Sequence, residues 1–248
     1  MWAPSVSSVT THIVAVCFEA NDPRSLARFW GSVLGWEMAD DPVDGEALMP
    51  NDDTGFAIRF VPTDAQKAGP NHIHFDLTSD SVDHQHRTVA TSLELGAQRI
   101  DIGQRPEEGH DVLADPEGNE LCVIPPGNKF LAECGFLGAV NGDGSQEVGY
   151  FWSAALGWPL VWDQDEETAI RSPHGGPKFA WGGPPLEPKT GKSRVHFDIA
   201  PPADGDQQAE VARLESLGAR RIDIGQGDVS WVVMADPDGR EFCVLTPR

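Results

Sequence analysis

The sequence predicts an α+β protein of two tandem domains, each running through the element order βαβββ twice. Two observations carry this. The first is a long internal repeat: Leu95 to Gln104 reads LGAQRIDIGQ and Leu217 to Gln226 reads LGARRIDIGQ. The match extends from FWGSVLGW (Phe29 to Trp36) against FWSAALGW (Phe151 to Trp158) as far as ADPEGNELCVIPP (Ala114 to Pro126) against ADPDGREFCVLTP (Ala235 to Pro247). Such a period far exceeds the roughly 20–50 residues of a solenoid unit, so the repeat is a duplicated domain. The second observation is that short β-branched runs and helix-periodic stretches alternate in one order within each copy.

In the first copy, HIVAVCF (His12 to Phe18) reads as a strand. Asp22 is a good N-cap with Pro23 at the first helical position, and Leu26, Phe29, Trp30, Val33 and Leu34 then recur at helical spacing up to Gly35. Strands follow near Trp36–Ala39, Ala47–Met49 and Phe56–Val61, separated by Asp, Pro and Gly. HIHFDLT (His72 to Thr78) opens the second round. A helix is expected over Ser81–Leu95, with Val82, His86, Val89, Ala90 and Leu93 on one face and Gly96 closing it. Strands at Arg99–Ile102, Asp111–Ala114 and Glu120–Ile124 complete the copy. The domains are expected at residues 1–126 and 130–248, with PPGNK (Pro125 to Lys129) as linker and the two halves packed on one another. In the second copy Gly144 and Ser145 stand where the first has Asp22 and Pro23, so its first strand and helix are expected to be less regular.

Composition narrows the partners. The chain has 248 residues and a net charge of −21, which disfavours nucleic acid, since phosphate binding needs clustered Lys and Arg. No apolar run approaches the roughly 18 residues of a membrane span, and no secretory leader opens the sequence. Four cysteines, of which only Cys122 and Cys243 are equivalent, do not form a staple pattern; a cytoplasmic protein with reduced thiols is expected.

Alternation along the strands separates two faces. His72, His74 and Asp76 lie opposite Ile73, Phe75 and Leu77, and Arg194, His196 and Asp198 lie opposite Val195, Phe197 and Ile199. Glu120 with Cys122, and Glu241 with Cys243, occupy equivalent faces after a DPxG turn. A carboxylate beside a histidine on a concave sheet suits a metal site or acid–base catalysis; equally, such residues hydrogen-bond one another and line a wet groove.

The succession FWxxxLGW, HIHFDL, LGA and DPEGNE, present in both halves, resembles the vicinal oxygen chelate superfamily, in particular tandem glyoxalase-like domains. The resemblance implies paired βαβββ modules whose sheets curl around a cleft. It also implies action on a small organic molecule, of lyase, isomerase or dioxygenase type, assisted by one divalent metal ion (Zn, Ni, Fe or Mn) as Lewis acid. The alternative within the superfamily is a metal-free drug- or metabolite-binding protein of the bleomycin-resistance kind. Carried over residue by residue, His74 and Glu120 in the first half, and His196 and Glu241 in the second, fall on ligand positions. The first-strand ligand position falls on Ala15 and Leu137, leaving His12, three residues early, as a candidate third ligand. The fourth-strand position carries Arg59, suited to a substrate carboxylate or phosphate, where Lys178 and Trp181 occupy the corresponding stretch of the second half. His110 corresponds to Trp231, a place where similar domains carry a cleft-facing Trp. The expected working site is therefore the first half's cleft, with His74, Glu120 and His110 as catalytic residues. Arg59, Asp76, Trp181 and Trp231 are expected to bind substrate. His84 and His86 read as solvated helix residues, and Trp162 as a pocket wall.

Overall fold

Asp22 caps the first helix by accepting the Ser25 N–H at 3.0 Å, Pro23 follows, and Gly35 ends it in the left-handed conformation, φ 71°. The computed structural model of the protein describes residues 11–41, 45–189 and 191–248. Its first half comprises β1 (His12–Ala20), α1 (Pro23–Leu34), β2 (Glu37–Asp41), β3 (Gly45–Met49), β4 (Ala57–Pro62), β5 (Ile73–Leu77), α2 (Val82–Glu94), β6 (Gln98–Arg99), β7 (Asp111–Ala114) and β8 (Glu120–Val123). The second comprises β9 (Leu137–Gly142), α3 (Gln146–Leu156), β10 (Leu160–Gln164), β11 (Glu167–Arg171), β12 (Lys178–Trp181), β13 (Val195–Ala200), α4 (Gln207–Ser216), β14 (Arg220–Arg221), β15 (Val232–Ala235) and β16 (Glu241–Val244). The βαβββ order therefore holds four times. The second half is plainer at its start, as expected: β9 is shorter than β1, and Ser145 makes no side-chain cap bond to α3.

The modules pair in twos, and the partner of each lies in the other half. One eight-stranded sheet runs β14-β15-β16-β13-β1-β4-β3-β2, joining the first and fourth modules; the other runs β10-β11-β12-β9-β5-β8-β7-β6, joining the second and third. The seams are antiparallel, β1 on β13 and β5 on β9. No cleft is therefore internal to one half, which corrects the grouping of Arg59 with His74: the two lie in different sheets.

The alternation read from sequence places the apolar faces. Phe18, Phe60, Phe75 and Phe179 are fully buried in one core shared by both sheets and by residues of all four helices. Rings cross between the sheets, Phe18 to Phe75 at 5.4 Å and Phe179 to Phe197 at 5.3 Å. The tryptophan of each FW motif is fastened to the DPxG turn of its own half. Trp30 Nε1 donates to Asp115 at 3.0 Å, and Trp152 bonds Asp236 likewise.

One helix face departs from expectation. In α2 the buried residues are Gln85, Thr88, Val89 and Ser92, whereas Val82 and Leu93 are exposed. Residues 85, 88, 89 and 92 form their own i, i+3, i+4, i+7 stripe. Small and polar groups suit it because Gln85 bonds Gly109 O and Asp111, and Ser92 bonds Thr88 O.

Candidate functional site

Two clefts face outward from the polar sides of the sheets. In cleft one, built on β1, β4, β13 and β16, the ladder aligns Cys17 with His196 and with Arg59, and Asp198 with Cys243. In cleft two, built on β9, β12, β5 and β8, it aligns Asn141 with His74 and with Ala180, and Asp76 with Cys122. Rung for rung, Cys17 corresponds to Asn141 and Arg59 to Ala180. The residue in the place of Arg59 is thus neither Lys178 nor Trp181.

The floors share one design. His196 Nε2 stands 3.6 Å from Asp198 Oδ1, and His74 Nε2 stands 3.6 Å from Asp76 Oδ1. The other carboxylate oxygen is held by a strand neighbour, differently in each cleft. In cleft one, Arg59 Nη1 donates to Asp198 Oδ2 at 2.7 Å. In cleft two, the Asn141 amide donates to Asp76 Oδ2. Burial pushes the Asp76 carboxyl above its usual range, against the pull of His74 and the Asn141 bond. Burial and the nearby carboxylate also raise the thiols, Cys17 beside Asp198 and Cys122 beside Asp76.

The expected ligand set is only partly assembled. Glu120 accepts Lys67 Nζ at 2.7 Å and the Asn71 N–H at 3.2 Å; Glu241 is held in the same way by Lys189 and the Ser193 hydroxyl. Burial raises Glu241, but the bonds from Lys189 and Ser193 outweigh it and bring the carboxyl below its usual range. Each glutamate thus carries an ammonium on the carboxylate a metal would need. His12 is exposed at the far end of β1, paired with Ala200. It stands five residues from Cys17, about 17 Å along a strand, so it cannot ligate with His196, and it belongs to the other sheet from His74. Ala15 lies on the cleft-facing side of β1 opposite Asp198, but a methyl group offers no ligand.

The remaining candidates divide between the clefts. Trp231, with Ile224, Val233 and Leu245, walls a cavity of about 300 Å³ over Arg59, His196 and Asp198 in cleft one. Trp181 and Trp162, with Phe130, wall a cavity of about 410 Å³ beside His74 and Asn141 in cleft two. The Trp181 ring lies so close over β9 and the turn after it that a Cβ at Gly144 would come within 2.6 Å of it, which explains glycine where the first half has Asp22. His110 is close enough to Asp76 to act on its charge, and its Nδ1 lies 3.9 Å from Glu108. His84 stacks on Phe136 beside Asp80, away from both floors.

The sequence reading missed the thiols as floor donors and the lysines as clamps. The signal was present: Asp follows His by two, and Cys follows Glu by two, in both halves, which puts a second polar rung behind the first. Lys67 and Lys189 sit in irregular connections, where no periodicity marks them.

Sequence and structure comparisons agree with this architecture. Residues 15–124 and 139–245 match the family model of the glyoxalase-like domain. Glyoxalase I from Zea mays superposes with a TM-score of 0.64 at 15% identity, over 96% of this chain and 92% of that one. A putative dioxygenase from Bacillus subtilis superposes with a TM-score of 0.59 at 15% identity, over 96% and 85%. At such identities the likeness speaks of the fold alone. Among curated proteins no sequence matches. The family match over both halves, the four βαβββ modules and their pairing into two clefts together mean that the chain belongs to the glyoxalase-like domain family, as a tandem protein of the vicinal oxygen chelate superfamily.

Proposed function

We propose that the protein takes a small, flat, largely apolar organic molecule with a polar or anionic end into cleft one, and that this cleft works without a metal ion. One observation carries the reading: the place from which a fourth-strand ligand would reach the floor is filled by Arg59, bonded to Asp198 at 2.7 Å. A guanidinium fixed there supplies permanent positive charge and a planar set of donors, which suit a carboxylate-like group and repel a cation. Trp231, Ile224, Val233 and Leu245 supply the apolar wall, and the volume of about 300 Å³ lies at the lower end of the roughly 300–1,000 Å³ of ligand pockets. Lewis-acid chemistry on a His–Glu pair finds less support, because Glu120 and Glu241 are each engaged by a lysine. No helix of the described residues is long and apolar enough to cross a membrane, and a small-molecule ligand is the partner that the family fold favours.

The reading is tested by ligand-observed NMR with a set of aromatic carboxylates and their neutral amides. Saturation transfer to the carboxylates should be lost in Trp231→Ala and weakened about tenfold in Arg59→Gln, a typical loss of roughly 1.4 kcal/mol for a charged contact. It should survive in Trp181→Ala. Binding that depends on Trp181 and not on Trp231 would move the function to cleft two.

A further inference from the structure

The second floor has the same carboxylate, imidazole and thiol as the first but lacks its guanidinium. We propose that cleft two binds a single borderline-soft divalent cation, zinc being the best match, through His74 Nε2, Asp76 Oδ1 and Cys122 Sγ. This is not the His74–Glu120 pair anticipated from sequence. The set lies one rung deeper, contains sulfur, and excludes Glu120, which Lys67 holds.

Three observations converge on it. The three donor atoms lie within 4.8 Å of one another, and they come from β5 and β8, which are directly paired. Ligands around a tetrahedral zinc, with bonds of about 2.0 Å to N and O and 2.3 Å to S, stand roughly 3.5 Å apart, so modest side-chain rotation closes the site. Next, Asp76 is 7% exposed and its Oδ1 has no hydrogen-bond donor, although Oδ2 of the same group is held by the Asn141 amide. A carboxylate oriented through one oxygen and left open at the other is the arrangement of a metal ligand with its supporting bond. Finally, His74 forms part of the wall of the aromatic cavity, which leaves a side from which the ion and a fourth ligand can reach the floor.

The sister floor is the built-in control. Cys17, His196 and Asp198 also gather within 4.8 Å, but Arg59 Nη1 is fixed on that carboxylate. At the corresponding rung of cleft two stands Ala180, which is neutral. Like charge at so short a range opposes a cation in cleft one, whereas the corresponding rung of cleft two carries no charge. The structure therefore assigns one ion per chain and not two. Donors of N, O and S together favour zinc over magnesium or calcium.

The test is a titration of chelator-stripped full-length protein with Co²⁺ under a non-chelating reductant, read by absorption and displaced by Zn²⁺. One equivalent should give tetrahedral visible bands and a near-ultraviolet sulfur-to-cobalt charge-transfer band. Cys122→Ser should remove the charge-transfer band, and Asp76→Asn should weaken binding at least tenfold. Glu120→Gln should leave both unchanged. If Cys122→Ser does not fold, the triple variant Cys17→Ser/Cys134→Ser/Cys243→Ser retains Cys122 alone and should keep the band. No saturable binding, two equivalents per wild-type chain, a band that survives Cys122→Ser, or a band lost in the triple variant while it remains folded overturns the assignment. Because the readout is the thiolate of cleft two, it is independent of whether cleft one takes an organic ligand.

Discussion

Asp236 should make the protein less stable as the pH rises from about 4 to about 6, and replacing it with Asn should abolish that dependence. Burial, only partly offset by the Arg240 main-chain bond and reinforced by the Asp238 charge, lifts its carboxyl from 3.8 to about 6. At roughly 1.4 kcal/mol per pH unit this corresponds to about 3 kcal/mol. The sign follows from proton binding: between these values the folded chain holds the proton that the unfolded chain has released, so stability is complete below about pH 4 and is lost as pH passes through 6. Other carboxylates contribute slopes of either sign, so the useful quantity is the difference between wild type and Asp236→Asn. The Asn oxygen can still accept the main-chain N–H groups of Asp238 and Arg240, both of which meet Oδ1 at 3.1 and 2.9 Å. Any loss at the Trp152 contact adds a pH-independent offset. Urea unfolding followed by tryptophan fluorescence at half-unit steps from pH 3.5 to 7.5 gives the profile. The wild-type advantage should fall by about 3 kcal/mol across the window; a flat difference, or one that rises with pH, refutes the reasoning.

Other outcomes follow from particular contacts. Gly149→Ala should destabilise although alanine is the better helix former by about 1 kcal/mol, because the added Cβ would meet Thr168 Oγ1 at 1.9 Å and its Cβ at 2.5 Å. Such overpacking costs about 1–3 kcal/mol, and an unchanged melting temperature would contradict the close packing of α3 on β11. His72 is held down to about 3 by burial, with the charge of Arg240 acting in the same sense. It should remain a neutral imidazole in ¹⁵N-edited spectra well below pH 6, and its contribution to stability should be lost as pH falls from about 6.5 toward 3. Protonation of the His72 ring near pH 6 in the folded protein would show the site to be wetter than its surroundings imply.

Much of this fold could be read in the sequence because its signals are local. The Asp22–Pro23 cap, the Gly35 stop and the strict alternation in IHFDL each act within a few residues, and each is found where the pattern put it. The face of α2 was misread because two stripes compete, and the winning one is chosen by the Gln85 bonds to Gly109 and Asp111, partners that sequence distance hides. The site was half legible. Face and rung of His74, Asp76 and Cys122 follow from alternation, but their cleft-mates come from the third module, and nothing local says that β5 will pair with β9. For the same reason Arg59 was grouped with the wrong histidine, since its bond to Asp198 spans 139 positions.

The crossed pairing of the modules also sets a timetable for a nascent chain. Phe18 finds its ladder partner only at Val195, so at roughly 5–20 residues per second one edge of β1 waits on the order of 10–40 s on the ribosome for the strand that will cover it. The sheet containing β5 can close much earlier, once β9 to β12 have emerged, whereas the sheet containing Arg59 is finished last. During that interval an apolar half-sheet with a bare edge is available to any second copy being made nearby. Exchange of β13 between two chains would rebuild the same seam, so the geometry that joins the halves within one molecule is also a route by which two molecules become entangled.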